Sequence, residues 1–300
     1  MIVDPIDLKL IRQLELQGNI SINEIINKFH ITKEEIFLRI KNFEDSNFIS
    51  DYGIKLFPPR IFGGKWHWVC VAIESTPKFK PEKSIPYLDE IVENITFPRG
   101  VSPDVSLLLY TQNLKETYKQ IYKIPGVKYA EIYKVGEYNV SVPNVLLKKD
   151  WQLITKLLIM SRLNYAKIDQ ILYEPKSDTD VKLSNLIWSK KNRKGIVSIF
   201  PNFNWSIIKN YSHLHLAIAT KMRTKELRKL INKIGFSANI TSRFKKRYLQ
   251  VEFDIWGFSD LQITINSLNQ ADNLTIVGCS FAYKNRICNK WIKDYINEKI

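Results

Sequence analysis

The segment Asp7-Leu8-Lys9-Leu10-Ile11-Arg12-Gln13-Leu14 returns later in the chain as Asp150-Trp151-Gln152-Leu153-Ile154-Thr155-Lys156-Leu157. The two segments share Asp, Leu, Ile and Leu at the same places and lie 143 positions apart. The same offset takes Phe57-Pro58 to Phe200-Pro201 and places apolar residues on apolar residues in between. A gapless repeat of this length predicts two copies of one two-domain unit, joined head to tail.

Composition indicates a folded chain with an anionic partner. Of 300 residues, 45% are hydrophobic, and 45 Lys and Arg against 30 Asp and Glu give a formal charge of +15. Such an excess favours double-stranded DNA as the partner. Solubility, or a proteome that is basic throughout, is the alternative explanation of the same charge.

The cysteines argue against a disulfide framework or a zinc site. Cys70, Cys279 and Cys288 form no CxxC pair and no even set, which suits a reducing cytoplasm. The first residues resemble no signal peptide, and no apolar run is long enough to span a membrane. We therefore expect a cytoplasmic protein without membrane contact.

Residues 1–60 predict a winged helix-turn-helix. Asp4-Pro5 suits the start of a helix, Thr32 with Glu35 forms a capping box, and residues 47–57 read as a hairpin wing. In such a module the third helix enters the major groove of DNA. Its predicted DNA contacts are Lys33, Arg39 and Lys41. A helical bundle, or a winged helix that binds protein, remains open.

Residues 64–142 predict a ferredoxin-like βαββαβ domain, so the fold class is α+β. The expected strands cover 66–73, 95–99, 104–111 and 127–142, and the expected helices cover 82–94 and 114–124. The first strand and both helices follow from β-branched runs and from helical spacing of apolar residues.

Four motifs in this order resemble the Lrp/AsnC (feast/famine) transcription regulators. They are the opening helix from Asp4-Pro5, the segment Arg39-Ile40-Lys41-Asn42-Phe43, the loop Gly100-Val101-Ser102-Pro103-Asp104, and the break Ile124-Pro125-Gly126-Val127. The resemblance implies a DNA-binding regulator that dimerises through its α/β domain. It also implies a small-molecule effector, such as an amino acid, at Gly100 and Asp104, and no cofactor.

The second copy predicts a divergent winged helix-turn-helix at 143–208, a ferredoxin-like domain at 211–286 and an appended helix at 287–300. Its third helix is expected at 178–189. Two cationic segments would bind phosphates, and they comprise Lys190, Lys191, Arg193 and Lys194, and then Arg243, Lys245, Lys246 and Arg247. Two copies in one chain predict an internal pseudo-dimer, with further homo-oligomerisation left open.

Two other functions, an enzyme and a protein-interaction module, remain open. Glu34 and Glu35 suit the dipole of the predicted recognition helix but would repel phosphate. The architecture also resembles that of siroheme decarboxylases, and the segment from Arg60 to His67 resembles their entry to the first strand. In that case His67, His213 and His215 would be candidates to hold a porphyrin acid. A protein-interaction module is a third possibility. The prediction is a DNA-binding regulator that is not an enzyme and has no catalytic or metal-binding residues.

Overall fold

The computed structural model describes residues 1–17, 22–81, 85–98, 100–159, 164–187, 195–234, 238–244 and 248–299. The chain is a mixed α/β protein. Its helices are α1 Pro5–Gln17, α2 Ile22–Phe29, α3 Lys33–Asp45, α4 Pro58–Phe62, α5 Leu114–Tyr122, α6 Lys148–Ile159, α7 Tyr165–Tyr173, α8 Asp178–Leu186, α9 Thr224–Ile234, α10 Gly257–Asn269 and α11 Lys290–Lys299. Its strands are β1 Ile49–Leu56, β2 Gly64–Ser75, β3 Leu88–Phe97, β4 Val105–Thr111, β5 Val127–Val140, β6 Val197–Phe203, β7 Tyr211–Thr220, β8 Ala238–Phe244, β9 Tyr248–Trp256 and β10 Leu274–Ile287.

The first three helices form where their sequence predicts them. The Asp4 carboxylate accepts hydrogen bonds from the backbone N–H groups of Ile6 and Asp7, both at 2.8 Å. The Thr32 hydroxyl accepts from the Glu35 N–H at 3.2 Å and caps α3. These caps satisfy the backbone donors that the first turn of a helix leaves without partners.

The expected hairpin at 47–57 is wrong, because residues 49–56 form the single strand β1. Its partner is β6, which runs antiparallel to it with Lys55 opposite Ser198. Gly53, which reads as a turn residue, instead lies in the strand where β10 crosses it. A Cβ added at Gly53 would come within 2.2 Å of the Ile287 Cβ, so only glycine fits this crossing.

A second, eight-stranded sheet has the order β5-β2-β4-β3-β10-β7-β9-β8. The antiparallel pairing of β3 with β10 joins its two halves, with Ser280 opposite Thr96. Helix α5 covers one half, where Val69, Val71 and Ile121 are buried. Helices α9 and α10 cover the other half over the apolar residues of β7 and β9.

The expected helix at 82–94 is wrong in its described part. Residues 82–84 lie outside the described residues, and Leu88–Phe97 is strand β3. Its register against β4 shifts between Leu88 and Glu90. This bulge lets Leu88 and Ile91 share the buried face although they are three positions apart, so a bulged strand imitates helical spacing. The order observed in the described residues is therefore β2-β3-β4-α5-β5.

The second half has the expected order β7-α9-β8-β9-α10-β10 across residues 211–287. Each helical segment has its own core, and the strands β1 and β6 contribute residues to both cores. Ile49 packs with Phe203 and Trp205 over α1 to α3, whereas Ile54 and Leu56 pack with α6 to α8 and with Ile292 of α11. Among the described residues, no helix is long and apolar enough to cross a membrane.

Candidate functional site

Helix α3, the predicted DNA-reading helix, uses two of its three predicted cations inside the molecule. The Arg39 guanidinium lies 2.7 Å from carboxylate oxygens of Asp4 and Asp7 and 2.9 Å from Glu35. The Lys33 ammonium lies 2.7 Å from Glu174. Lys41 is exposed. DNA phosphates would therefore have to compete with these carboxylates for Lys33 and Arg39.

The outer surface of α3 also faces other parts of the chain. The Phe37 ring meets the Tyr165 ring edge-on at 6.5 Å between centroids. A carboxylate oxygen of Glu44 accepts hydrogen bonds from the Tyr52 hydroxyl at 2.8 Å and the Tyr165 N–H at 2.9 Å. The exposed positions of helix α3 include Glu34, Leu38 and Asp45. Carboxylates and an apolar side chain are poor partners for phosphate.

Helix α8, its counterpart in the second half, borders an open groove against α6. The groove has a volume of about 760 Å³ and is lined by Lys149, Lys156 and Lys182 with several uncharged polar residues. All three lysines are exposed. Asp150 also lines the groove, and its carboxylate accepts a hydrogen bond from the Leu147 N–H at 2.8 Å. We call this groove, with the three lysines that line it, the α6–α8 groove.

The predicted cationic segments fall mostly outside the described residues. Lys190, Lys191, Arg193 and Lys194 lie outside them, as do Lys245, Lys246 and Arg247; Arg243 has a described backbone in β8 and an undescribed side chain. The chain on either side of the first segment is described. Ile187 follows α8, and the Gly195 carbonyl accepts a hydrogen bond from Arg60 at 2.8 Å.

The predicted effector loop is held by contacts of its own. The Asp104 carboxylate accepts from the Ser75 N–H at 2.9 Å and from the Thr96 hydroxyl at 2.7 Å, and Gly100 has a φ of +85°. Ser102, between Gly100 and Asp104, is fully buried, and its hydroxyl donates a hydrogen bond of 3.2 Å to the amide oxygen of Gln250 in the other half of the sheet. The loop thus acts as a contact between the two halves.

A cluster of histidines and carboxylates lies where the ends of β7 and β9 meet α1. We define this histidine cluster as His213, His215, Glu252, Asp254 and Arg12. Asp254 accepts hydrogen bonds from the Tyr211 hydroxyl at 2.7 Å and from Arg12, and its Oδ1 lies 3.3 Å from His213 Nδ1. His215 Nε2 lies 3.4 Å from Glu252 Oε1.

Burial and neighbouring charges shift the pKa values of the two histidines in opposite directions. Burial alone would lower the pKa of His213, but the hydrogen bond to Asp254 and the charges of Glu15 and Glu252 leave that pKa raised. Burial and then the charge of His213 lower the pKa of His215 to about 3. Burial raises the pKa of Glu252. Strongly perturbed groups beside a cleft are typical of functional sites.

A second groove, of about 550 Å³, opens beside this cluster between α1, α2 and the ends of β7 and β9. Arg12 and Asp254 line its floor, the aromatic side chains of Phe29, Tyr211 and Trp256 line its walls, and the exposed Lys9 and Lys28 lie at its rim. The Tyr211 and Trp256 rings are 4.7 Å apart between centroids. We call this the aromatic groove.

The structure brings only two of the three predicted porphyrin-site histidines together. His213 and His215 are neighbours, with ring centroids 5.0 Å apart. His67 lies on β2, where its Nδ1 is 3.7 Å from Glu137, and Arg60 packs on the Phe57 ring.

Sequence reasoning missed the partners of the two histidines. Glu252 and Asp254 alternate with the buried Val251 and Phe253, which is the pattern that places two carboxylates on one face of a strand. That alternation was the available signal. Arg12 comes from an element more than two hundred positions away, and no local signal marks it.

No protein-family model and no curated protein matches this sequence. Among solved structures, the siroheme decarboxylase NirDL is similar at 11% identity over 98% of this chain and 97% of that chain, with a TM-score of 0.43. NirDL in complex with an iron-uroporphyrin III analogue is similar at 10% identity over 97% and 96% of the two chains, with a TM-score of 0.44. B. subtilis LrpC is similar at 15% identity over 44% of this chain and 95% of its own, with a TM-score of 0.29.

Regulators of the AsnC/Lrp type thus match about half of this chain, whereas the two NirDL structures match nearly all of it. The expectation that the chain is not an enzyme is contradicted, because the structures that align over its full length are those of an enzyme. At these identities and TM-scores, the likenesses assign no ligand, reaction or DNA site to the chain.

We expect Arg39→Ala to lower the free energy of unfolding by about 1–3 kcal/mol, because the largely buried Asp7 carboxylate loses its cation. Lys41→Ala, on the same helix but exposed, serves as the matched control and should change stability by less than about 0.5 kcal/mol. Guanidinium unfolding of both variants measures the difference. Equal, small effects would mean that Arg39 has no structural role.

Proposed function

We propose that the chain is a DNA-binding transcription regulator of the Lrp/AsnC type that arose by tandem duplication and binds double-stranded DNA through its second helical unit. The observation that carries the proposal is the difference in what the cations around two helices of matching position contact. In helix α3, Lys33 and Arg39 form ion pairs with carboxylates of the same chain. Helix α8 instead borders an open groove that is lined by three exposed lysines.

The pairing of β1 with β6 supports the duplication. Lys55 and Ser198 lie opposite each other and differ by 143 positions, which is the repeat offset. The flanking pairs, Ile54 with Ile199 and Leu56 with Val197, exchange with each other under the same offset. This register is what a two-fold axis through Lys55 and Ser198 would produce, as in an internal pseudo-dimer.

The location of positive charge supports phosphate binding at the second unit. Lys149 and Lys156 of α6 and Lys182 of α8 share one groove, and the sequence places Lys190, Lys191, Arg193 and Lys194 directly after α8. Contacts of this kind bind the DNA backbone rather than base edges. Because the two units differ, the proposal favours an asymmetric DNA site over a palindrome.

An effector at Gly100 and Asp104 stays part of this proposal. Because Ser102 of the same loop donates a hydrogen bond to Gln250, an effector bound at this loop would act on the contact between the two halves of the sheet. Further homo-oligomerisation of the internal pseudo-dimer is compatible with the proposal.

For the DNA contact, we expect Lys149→Ala/Lys156→Ala/Lys182→Ala to reduce the slope of log Kd against log salt by about 2–3, because each phosphate contact contributes about 0.9. Fluorescence anisotropy of a labelled duplex at several salt concentrations measures this slope. The control Lys115→Ala/Lys119→Ala/Lys123→Ala removes the same charge from exposed lysines at and just after α5. Equal slopes in the two triple variants would contradict the proposed site, and no binding at low salt would contradict DNA binding.

The aromatic groove supports a second candidate function, an enzyme that acts on a flat, carboxylate-bearing molecule such as a siroheme-like tetrapyrrole. Aromatic walls suit a planar ligand, and exposed Lys9 and Lys28 at the rim suit its carboxylates. Arg12 is already paired with Asp254 and Glu15, so the rim lysines rather than Arg12 would bind the ligand.

For this second candidate, we expect siroheme to bind the full chain with a shift of its visible absorption spectrum. Lys9→Ala/Lys28→Ala should weaken that binding by about 10-fold, which corresponds to about 1.4 kcal/mol, whereas Lys115→Ala/Lys119→Ala should not. Mass spectrometry of the recovered tetrapyrrole would detect loss of carboxyl groups. An unchanged spectrum at saturating siroheme would rule this candidate out.

A further inference from the structure

The histidine cluster contains a donor set for a metal ion. One donor atom from each of His213, His215 and Glu252 lies within 4.8 Å of the other two. Two imidazoles and one carboxylate are a ligand set that zinc takes in proteins, with an open fourth position. We propose that these three residues form a binding site for a divalent metal ion of the zinc class, a property that goes beyond both functions proposed above.

The strand geometry places these donors without help from flexible loops. His213 and His215 are two apart on β7 and therefore point to the same face. His215 lies directly opposite Glu252 of β9, and His213 lies opposite Asp254. In a tetrahedral zinc site the donor atoms are about 3.4 Å apart. Closing the cluster to that size would require the distances between its donor atoms, now up to 4.8 Å, to shorten by up to about 1.4 Å.

His215 is the donor for which the protein alone supplies no hydrogen bond. Its Nε2 is buried and has no hydrogen-bond partner, although Glu252 Oε1 is 3.4 Å away. A buried polar atom without a partner costs about 1–3 kcal/mol. A metal ion between this nitrogen and Glu252 would remove that cost, because the imidazole lone pair would then be coordinated.

Asp254 occupies the place of the outer carboxylate in metal sites that contain histidine. It lies 3.3 Å from His213 Nδ1, and Tyr211 and Arg12 hold it in position. A carboxylate on one ring nitrogen fixes the tautomer and makes the other nitrogen the metal donor. The stacking of Trp205 on the His213 ring, at 5.9 Å between centroids, further fixes its orientation.

The local charge suits a divalent cation. Among the described residues that surround the two imidazoles, Glu15, Glu252 and Asp254 are carboxylates and Arg12 is the cation paired with two of them. With neutral imidazoles this set carries two net negative charges, which one divalent cation would balance. Imidazole and carboxylate donors together favour zinc, cobalt or nickel over magnesium or calcium.

The test uses the full chain, stripped with a chelator and then titrated with Co²⁺ as a visible probe and with Zn²⁺ in competition. We expect one Co²⁺ per chain with visible d–d absorption, displaced by Zn²⁺. Glu252→Gln and His215→Gln should weaken binding by at least about 10-fold, and Asp254→Asn by about 10–100-fold. His67→Gln is the matched control, since His67 is a largely buried strand histidine beside a carboxylate and should leave the affinity unchanged.

Circular dichroism of the metal-free variants checks that they fold. If His215→Gln does not fold, the metal affinity of Glu252→Gln alone tests the proposal. The proposal is overturned if the wild-type chain binds no Co²⁺ in stoichiometric amount. It is equally overturned if Glu252→Gln binds as tightly as the wild type, or if His67→Gln weakens binding as much as the cluster variants do. None of these readouts depends on DNA or tetrapyrrole binding.

Discussion

Strand β1 pairs with strand β6, and this pairing holds the two halves of the chain in one arrangement. Lys55, near one end of the pair, has a largely buried side chain, and its ammonium lies 2.6 Å from Glu90 and 3.6 Å from Asp89 on β3. On the other strand, the Asn202 side chain accepts a hydrogen bond from the Ile287 N–H at 2.6 Å. The strand pair is thereby tied to both central strands of the large sheet, and a buried ion pair of this kind is costly to break from one side.

This central pairing brings the helical units together in a way that makes them unequal. Tyr165 of α7 packs against Phe37 of α3 and donates its N–H to Glu44, so the first helical unit gives up its outer surface to the second. The α6–α8 groove keeps its lysines exposed. Under the proposed duplication, the loss of symmetry would follow from this packing as well as from the different charges of the two halves.

Sequence predicts those parts of the fold that depend on local signals. The caps at Asp4 and Thr32 and the apolar spacing of α1 and α3 identify the first helices, because their causes lie within a few residues. The strand β3 is misread because its bulge reproduces helical spacing. The wing is misread because Gly53 serves a strand crossing rather than a turn. In the site, the His-x-His pattern is local, but its contacts with Glu252, Asp254 and Arg12 depend on strand register and on an element far away in sequence.

Hydrogen exchange followed by mass spectrometry, with and without a saturating DNA duplex, distinguishes the two helical units. The proposed function requires the second unit, and not the first, to present a surface for phosphate. We expect DNA to slow exchange in peptides from residues 148–187 and to leave residues 33–45 unchanged. Slower exchange across residues 33–45, with no slowing in residues 148–187, would mean that the first unit rather than the second binds DNA.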